Sequence, residues 1–174
     1  MITKKPKLMM NGHTDEIYTP EYALNPILPY LKKEWTIWEN AWGTGVLAKH
    51  LIKKGFKVSS EDGDIILTNP PYSDKEGFLE RAYKRGKPFA FLLPLTTLEG
   101  KKRGELFKKY GVQLIIPNRR INFIMPNKQG GSWFQTAWFC WKLNLPKQLN
   151  FVELEKQELK SMGAENQSEV QDDK

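Results

Sequence analysis

The sequence predicts an α/β domain built on a mainly parallel sheet. Short runs rich in β-branched and aromatic residues, such as "TIWENAW", "DIILT", "PFAFLLPL" and "VQLIIP", alternate with stretches of helical periodicity. That alternation is the mark of strand–helix–strand units. The 174 residues, 40% hydrophobic and 12% aromatic, suit one domain with its own core. A single cysteine, Cys140, excludes a disulfide framework, and with two histidines, His13 and His50, it cannot build an all-protein zinc cluster.

The elements follow in chain order. "YTPEYALNPILPYLKK" starts on Thr19 as an N-cap with Pro20 at the first helical position, and Pro26 and Pro29 break it into short turns. "TIWENAW" reads as a strand ending near Glu39. "GTG" turns into the helix "VLAKHLIKKG", whose Val46, Leu47, Leu51 and Ile52 form one stripe, closed by Gly55. "FKVSS" and "DIILT" are further strands, the second buried and stopped by prolines that cannot continue a sheet ladder. "SDKEGFLERAYKRG" is a helix capped by Ser73, with Phe78, Leu79, Ala82 and Tyr83 inward. "PFAFLLPL" is a strand, "TLEGKKRGELFKKYG" a basic helix weakened by Gly100 and Gly104, and "VQLIIP" a strand. A basic loop over 119–132 leads into the aromatic strand "WFQTAWFCWKL".

Charge divides the chain. Residues 151–174 hold seven acids against three lysines, a net of −4, which leaves +11 for residues 1–150 from the total of +7. The domain is therefore 1–150, and 151–174 reads as a short helix fraying into an acidic tail. The basic body is either a solvated surface or a polyanion-binding face. Its clusters, Lys101, Lys102 and Arg103 in one and Arg119 and Arg120 in the other, tilt the reading to nucleic acid. No long apolar stretch follows the basic N-terminus, so neither a leader nor a membrane span is expected and the expected setting is the cytoplasm.

Ligands of such sheets collect at the carboxyl ends of the strands. Three features fall there. Glu39 with "NAWGTG" offers an acid beside glycines, Gly43 and Gly45, that admit a close backbone approach. "EDGD" at 61–64 is either a ribose-binding carboxylate, Asp62 with Glu61 beside it, or a plain Asp-Gly turn. "NPPY" at 69–72 places an amide, two stiff residues and a ring at the tip of a buried strand.

"NPPY" resembles the catalytic motif of S-adenosylmethionine-dependent amino methyltransferases acting on DNA. "DEIYTPEYALNPILPYL" is similar to a cofactor-binding segment ahead of the first strand, and "WENAWGTGVLAKHLIKKGFKV" to the glycine-containing first cofactor motif, with Ala-Trp in place of the more usual residues. The later half resembles small, phage-type N6-adenine methyltransferases, so the similarity runs over about 15–143.

This resemblance implies N6-methylation of adenine in double-stranded DNA, in a bacterial or phage-infected cell, with S-adenosylmethionine as cofactor. It assigns catalysis to Asn69, Pro70, Pro71 and Tyr72, and cofactor binding to Tyr18, Thr19, Pro20, Glu39, Ala41, Gly43, Gly45 and Asp62. It implies that Asn69 and the Pro70 carbonyl accept the amino hydrogens of the base while Tyr72 stacks on a base flipped from the duplex. RNA or cytosine-N4 targets share the motif.

One departure is large. The family places a helix and a third strand between the second strand and "NPPY", and here residues 59–64 alone fill that gap. A parallel crossover normally takes ~10–12 residues. Either "FKVSS" is not a sheet strand or the connection runs open across one edge. The missing segment carries the wall for the cofactor's adenine, so binding of tens of micromolar or poorer, on the order of −6 kcal/mol, is expected. The alternative function is a catalytically silent relative that binds nucleic acid or a protein partner.

Overall fold

The computed structural model of the chain describes residues 8–9, 13–14, 17–124, 132 and 134–155. A two-residue antiparallel pair, β1 (Leu8–Met9) and β2 (His13–Thr14), precedes the body. The body holds β3 (Thr36–Trp38), α1 (Val46–Lys53), β4 (Lys57–Ser59), β5 (Ile65–Thr68), α2 (Lys75–Arg85), β6 (Phe89–Pro94), α3 (Lys101–Tyr110), β7 (Gln113–Pro117), β8 (Thr136–Trp141) and β9 (Leu149–Val152). Its seven-stranded sheet runs β4-β3-β5-β6-β8-β7-β9, parallel except that β8 opposes its neighbours β6 and β7. The predicted α/β class with a mainly parallel sheet is the observed one.

Strand periodicity sorts the core. In β6, Ala90 and Leu92 face one way and Phe89, Phe91 and Leu93 the other; in β8, Trp138 and Cys140 oppose Ala137 and Phe139. The first face is covered by α1 and by two 3-10 turns, Glu21–Leu24 and Leu28–Tyr30, locked by a Trp138 Nε1 bond to the Ala23 carbonyl at 2.9 Å. The second face packs α2, through Leu79, Ala82 and Tyr83, and α3, through Leu106, Phe107 and Tyr110.

Several local expectations are corrected. Thr19 is not an N-cap: Pro20 holds the capping position and the Thr19 hydroxyl accepts from Asn69 instead. Ile52 is 56% exposed, because the α1 stripe is Leu47, Ala48 and Leu51. A 3-10 turn, Tyr72–Asp74, precedes α2, which moves its cap from Ser73 to Asp74. Phe151 and Val152 belong to β9 beside β7, not to a tail helix; the buried Asn150 amide, bonded to the Leu114 and Lys147 carbonyls, holds that strand in place. The remainder of the tail reading, from 156 on, lies outside the described residues.

The short link resolves against both expected alternatives. "FKVSS" contributes a true sheet strand, since β4 and β5 pair in parallel with opposite sides of β3. Ser59 and Ile66 both stand level with Trp38, so the chain hardly has to return along the strand direction. It must cross two strand spacings, ~10 Å, which five or six extended residues span easily. It passes over the face of β3. At Gly63 a Cβ would stand 2.5 Å from the Thr36 carbonyl oxygen and 2.8 Å from Trp38 N, so the crossing admits glycine there for lack of space. Hydrogen bonds tie the crossing to its neighbours. Asp64 N–H donates to Thr36 O, Thr36 N–H to Asp64 Oδ2, Trp38 Nε1 to Ser60 O and Lys87 Nζ to Gly63 O. The sheet therefore ends at β4 on this edge and gains β9 on the other.

Candidate active site

From β3 the chain goes to β4 on one side and then to β5 on the other, and the carboxyl ends of β3 and β5 meet at this switch point. A cavity of ≈ 570 Å³ lies there. Of the residues assigned from sequence, Tyr18, Thr19, Glu39, Ala41, Gly43, Asn69 and Pro71 line it.

Glu39 follows β3 and is 2% exposed. Its Oε1 accepts from the Thr68 hydroxyl and from the Ala41 N–H at 3.0 Å. Burial outweighs those bonds and pushes the carboxyl pKa up to about 7. Asn69 follows β5, and its Nδ2 donates to Thr19 Oγ1 at 3.0 Å. That bond fixes the amide and leaves Oδ1 buried, with no hydrogen-bond partner among the described residues. An unsatisfied buried acceptor costs ~1–3 kcal/mol. The cavity thus offers a buried carboxyl with a raised pKa and an amide oxygen without a partner among the described residues, acceptors suited to a cationic or amino-bearing ligand.

The turn between β3 and α1 is set by glycine. Gly45 caps α1 at φ +76, and a Cβ there would sit 3.0 Å from Trp42 Nε1. Trp42 is 41% exposed and lines the cavity with Thr44, Val46 and Leu47 from the same turn, Ile17 from the entering segment and Phe78 from α2. The sequence assignment missed these, and it missed Thr68. A threonine ending the apolar run "DIILT" was the available signal for Thr68, and the tryptophan inside the glycine turn was the signal for Trp42.

Other assigned residues are placed elsewhere. Pro20 and Pro70 are buried and are not among the lining residues. Asp62 lies exposed within the crossing and is ion-paired with Lys87 at 2.7 Å, which lowers its pKa, and it does not line the cavity. Tyr72 is 5% exposed and packs edge-on against Phe134 at 5.7 Å, with Phe134 stacked on Phe123 at 6.1 Å. Arg119 and Arg120 are exposed beyond β7, at the end of the sheet that carries Asn69. Lys101 and Lys102 are exposed at the start of α3, Lys102 3.3 Å from Glu76. Arg103 is drawn into the fold, donating to the Thr97 carbonyl at 2.9 Å and pairing with Glu76. The basic loop over 119–132 is described to Ile124 and at Ser132, and the Ile124 backbone bridges Tyr18, which ties the loop to the cavity. Cys140 is core, as expected, and among the described residues no helix is long and apolar enough to cross a membrane.

No protein-family model and no curated protein matches the sequence. Solved structures do. The chain is similar to a type I restriction-modification methyltransferase subunit from Streptococcus thermophilus, with TM-score 0.52 and 16% identity over 79% of this chain and 47% of that one. A candidate modification subunit of a type I restriction enzyme from Vibrio vulnificus YJ016 aligns at TM-score 0.47 and 13% identity, over 72% of this chain and 44% of that one. A candidate class I S-adenosylmethionine-dependent methyltransferase from Listeria monocytogenes aligns at TM-score 0.47 and 12% identity, over 79% and 65%. The α/β fold is therefore like that of the Streptococcus thermophilus methyltransferase subunit. The chain spans less than two thirds of the length of each of these structures.

Proposed function

We propose that this chain methylates the N6 amino group of adenine in DNA, using S-adenosylmethionine. The observation that carries the reading is Asn69. Its Oδ1 is a buried acceptor without a partner among the described residues, held by Thr19 at the tip of β5 and followed by two prolines. Adenine's amino group is a poor nucleophile because its lone pair is delocalised into the ring. Asn69 Oδ1 and the Pro70 carbonyl would accept its two hydrogens and return density to nitrogen, an effect that grows as charge develops. The proline rings limit φ, so that carbonyl is positioned at little entropic cost.

The residues present fit the cofactor. Glu39 and Thr19 would hold its cationic amino-acid end, with Gly43 and Ala41 giving close backbone approach. When bound, S-adenosylmethionine supplies an electrophilic methyl group on a sulfonium. Arg119 and Arg120, with Lys101 and Lys102, would meet the phosphates and position the duplex.

A second reading is favoured by Tyr72. A ring that is 5% exposed and packed on Phe134 does not present a face to a flipped base, which suits a catalytically silent relative that binds nucleic acid or a protein partner. The test is methyl transfer from labelled S-adenosylmethionine to an adenine-containing duplex, with the product read as N6-methyladenine. Asn69→Ala is expected to lower turnover by about 10²-fold or more with little change in melting temperature. Turnover at the wild-type rate in that variant would sink the assignment, and an inactive wild type that still binds DNA would favour the silent relative.

A further inference from the structure

Among the residues lining the cavity, none comes from β4 or from the 60–64 crossing, which is spent on passing over β3. The polar groups, Glu39, Thr19 and Asn69, gather at the strand tips and suit a ligand's charged end. Apart from the hydroxyls of Tyr18 and Thr44, the side chains that remain on the cavity wall are apolar, and the most exposed large one is Trp42. At 41% exposure it is among the few large apolar side chains left in water. The turn is built around it: Gly45 N–H donates to the Trp42 carbonyl at 2.7 Å, and the bare Cα of Gly45 leaves the indole its place. A large ring held open on a cavity wall offers a π-face on which a planar heteroaromatic group can stack.

We propose that Trp42 is a ligand-binding residue that stacks on the purine of the cofactor, supplying from the β3–α1 turn the wall that the short crossing does not provide. This rests on the cofactor named under the proposed function. It also changes the expectation of damaged binding, because the purine end is rebuilt from another element rather than lost.

Calorimetric titration of the wild type, Trp42→Ala and Trp42→Phe with three ligands tests it. The ligands are S-adenosylmethionine, 5′-methylthioadenosine, which keeps the purine but lacks the amino-acid end, and S-methylmethionine, a sulfonium amino acid without a purine. Trp42→Ala is expected to weaken the two purine ligands about tenfold or more and to leave S-methylmethionine within about twofold, while Trp42→Phe restores most of the loss. Equal loss for all three ligands, or no loss for any, overturns the stacking role. If the wild type binds S-adenosylmethionine and Trp42→Ala binds it equally well, this inference fails and the proposed function stands. A folded wild type that binds none of the three overturns both.

Discussion

At the cavity end of the motif, Asn69 keeps an acceptor without a partner among the described residues, beside the buried Glu39 with its raised pKa. Three residues beyond Asn69, Tyr72 is closed into the core, its ring against Phe134. The two ends of one four-residue motif thus differ in kind. The amide end carries an uncompensated polar cost that a ligand would relieve. At the other end the aromatic face of Tyr72 is already covered by packing, and it opens to a base only if Phe134 and Phe123 give way.

The largest expected effect that would break this contrast is on Tyr72. As a core ring, its replacement by alanine should cost about 3 kcal/mol, a drop of roughly 6–12 °C in melting temperature by scanning calorimetry. A drop below about 2 °C, accompanied by lost DNA binding, would mean that the ring is free for a base and that the two ends are alike.

Glu39 sharpens the comparison from the other side. Burial raises its pKa from 4.5 to about 7, so the folded state favours the protonated form. That contribution is fully present below the unfolded value and is lost as pH rises through 7, by on the order of 2 kcal/mol between pH 5 and 8. Stability of the wild type minus that of Glu39→Gln should therefore fall over this range in chemical denaturation. A difference that stays flat would place the carboxyl in contact with solvent and remove the cost assigned to this end. Because a cationic ligand prefers the ionised carboxylate, S-adenosylmethionine should bind more tightly at pH 8 than at pH 6.

The smallest expected effect concerns the exposed cations after β7 and at the start of α3. Arg119→Ala with Arg120→Ala should weaken duplex binding about three- to tenfold and reduce the salt slope by up to about two. Lys102→Ala should do less, because Lys102 stands beside Glu76. Anisotropy titrations at several salt concentrations measure both. If Lys102→Ala matched the arginine pair, the basic face would be centred on α3 instead.

The sequence by itself determined the strand–helix alternation, the two prolines that end β5 and the acid and glycines after β3, because each follows from local periodicity or backbone chemistry. It could not fix Thr19 as Asn69's partner, which requires residues fifty positions apart to meet. Nor could it show that five residues suffice to cross β3. A length rule for crossovers presumes full-length strands, and here Ser59 and Ile66 lie level with the same residue, Trp38. Glu39's raised pKa and Tyr72's burial were equally out of reach, since both depend on what other segments pack against them. Local residue types set the menu of possible contacts; desolvation and packing, which only the assembled sheet supplies, decided which of them were left open.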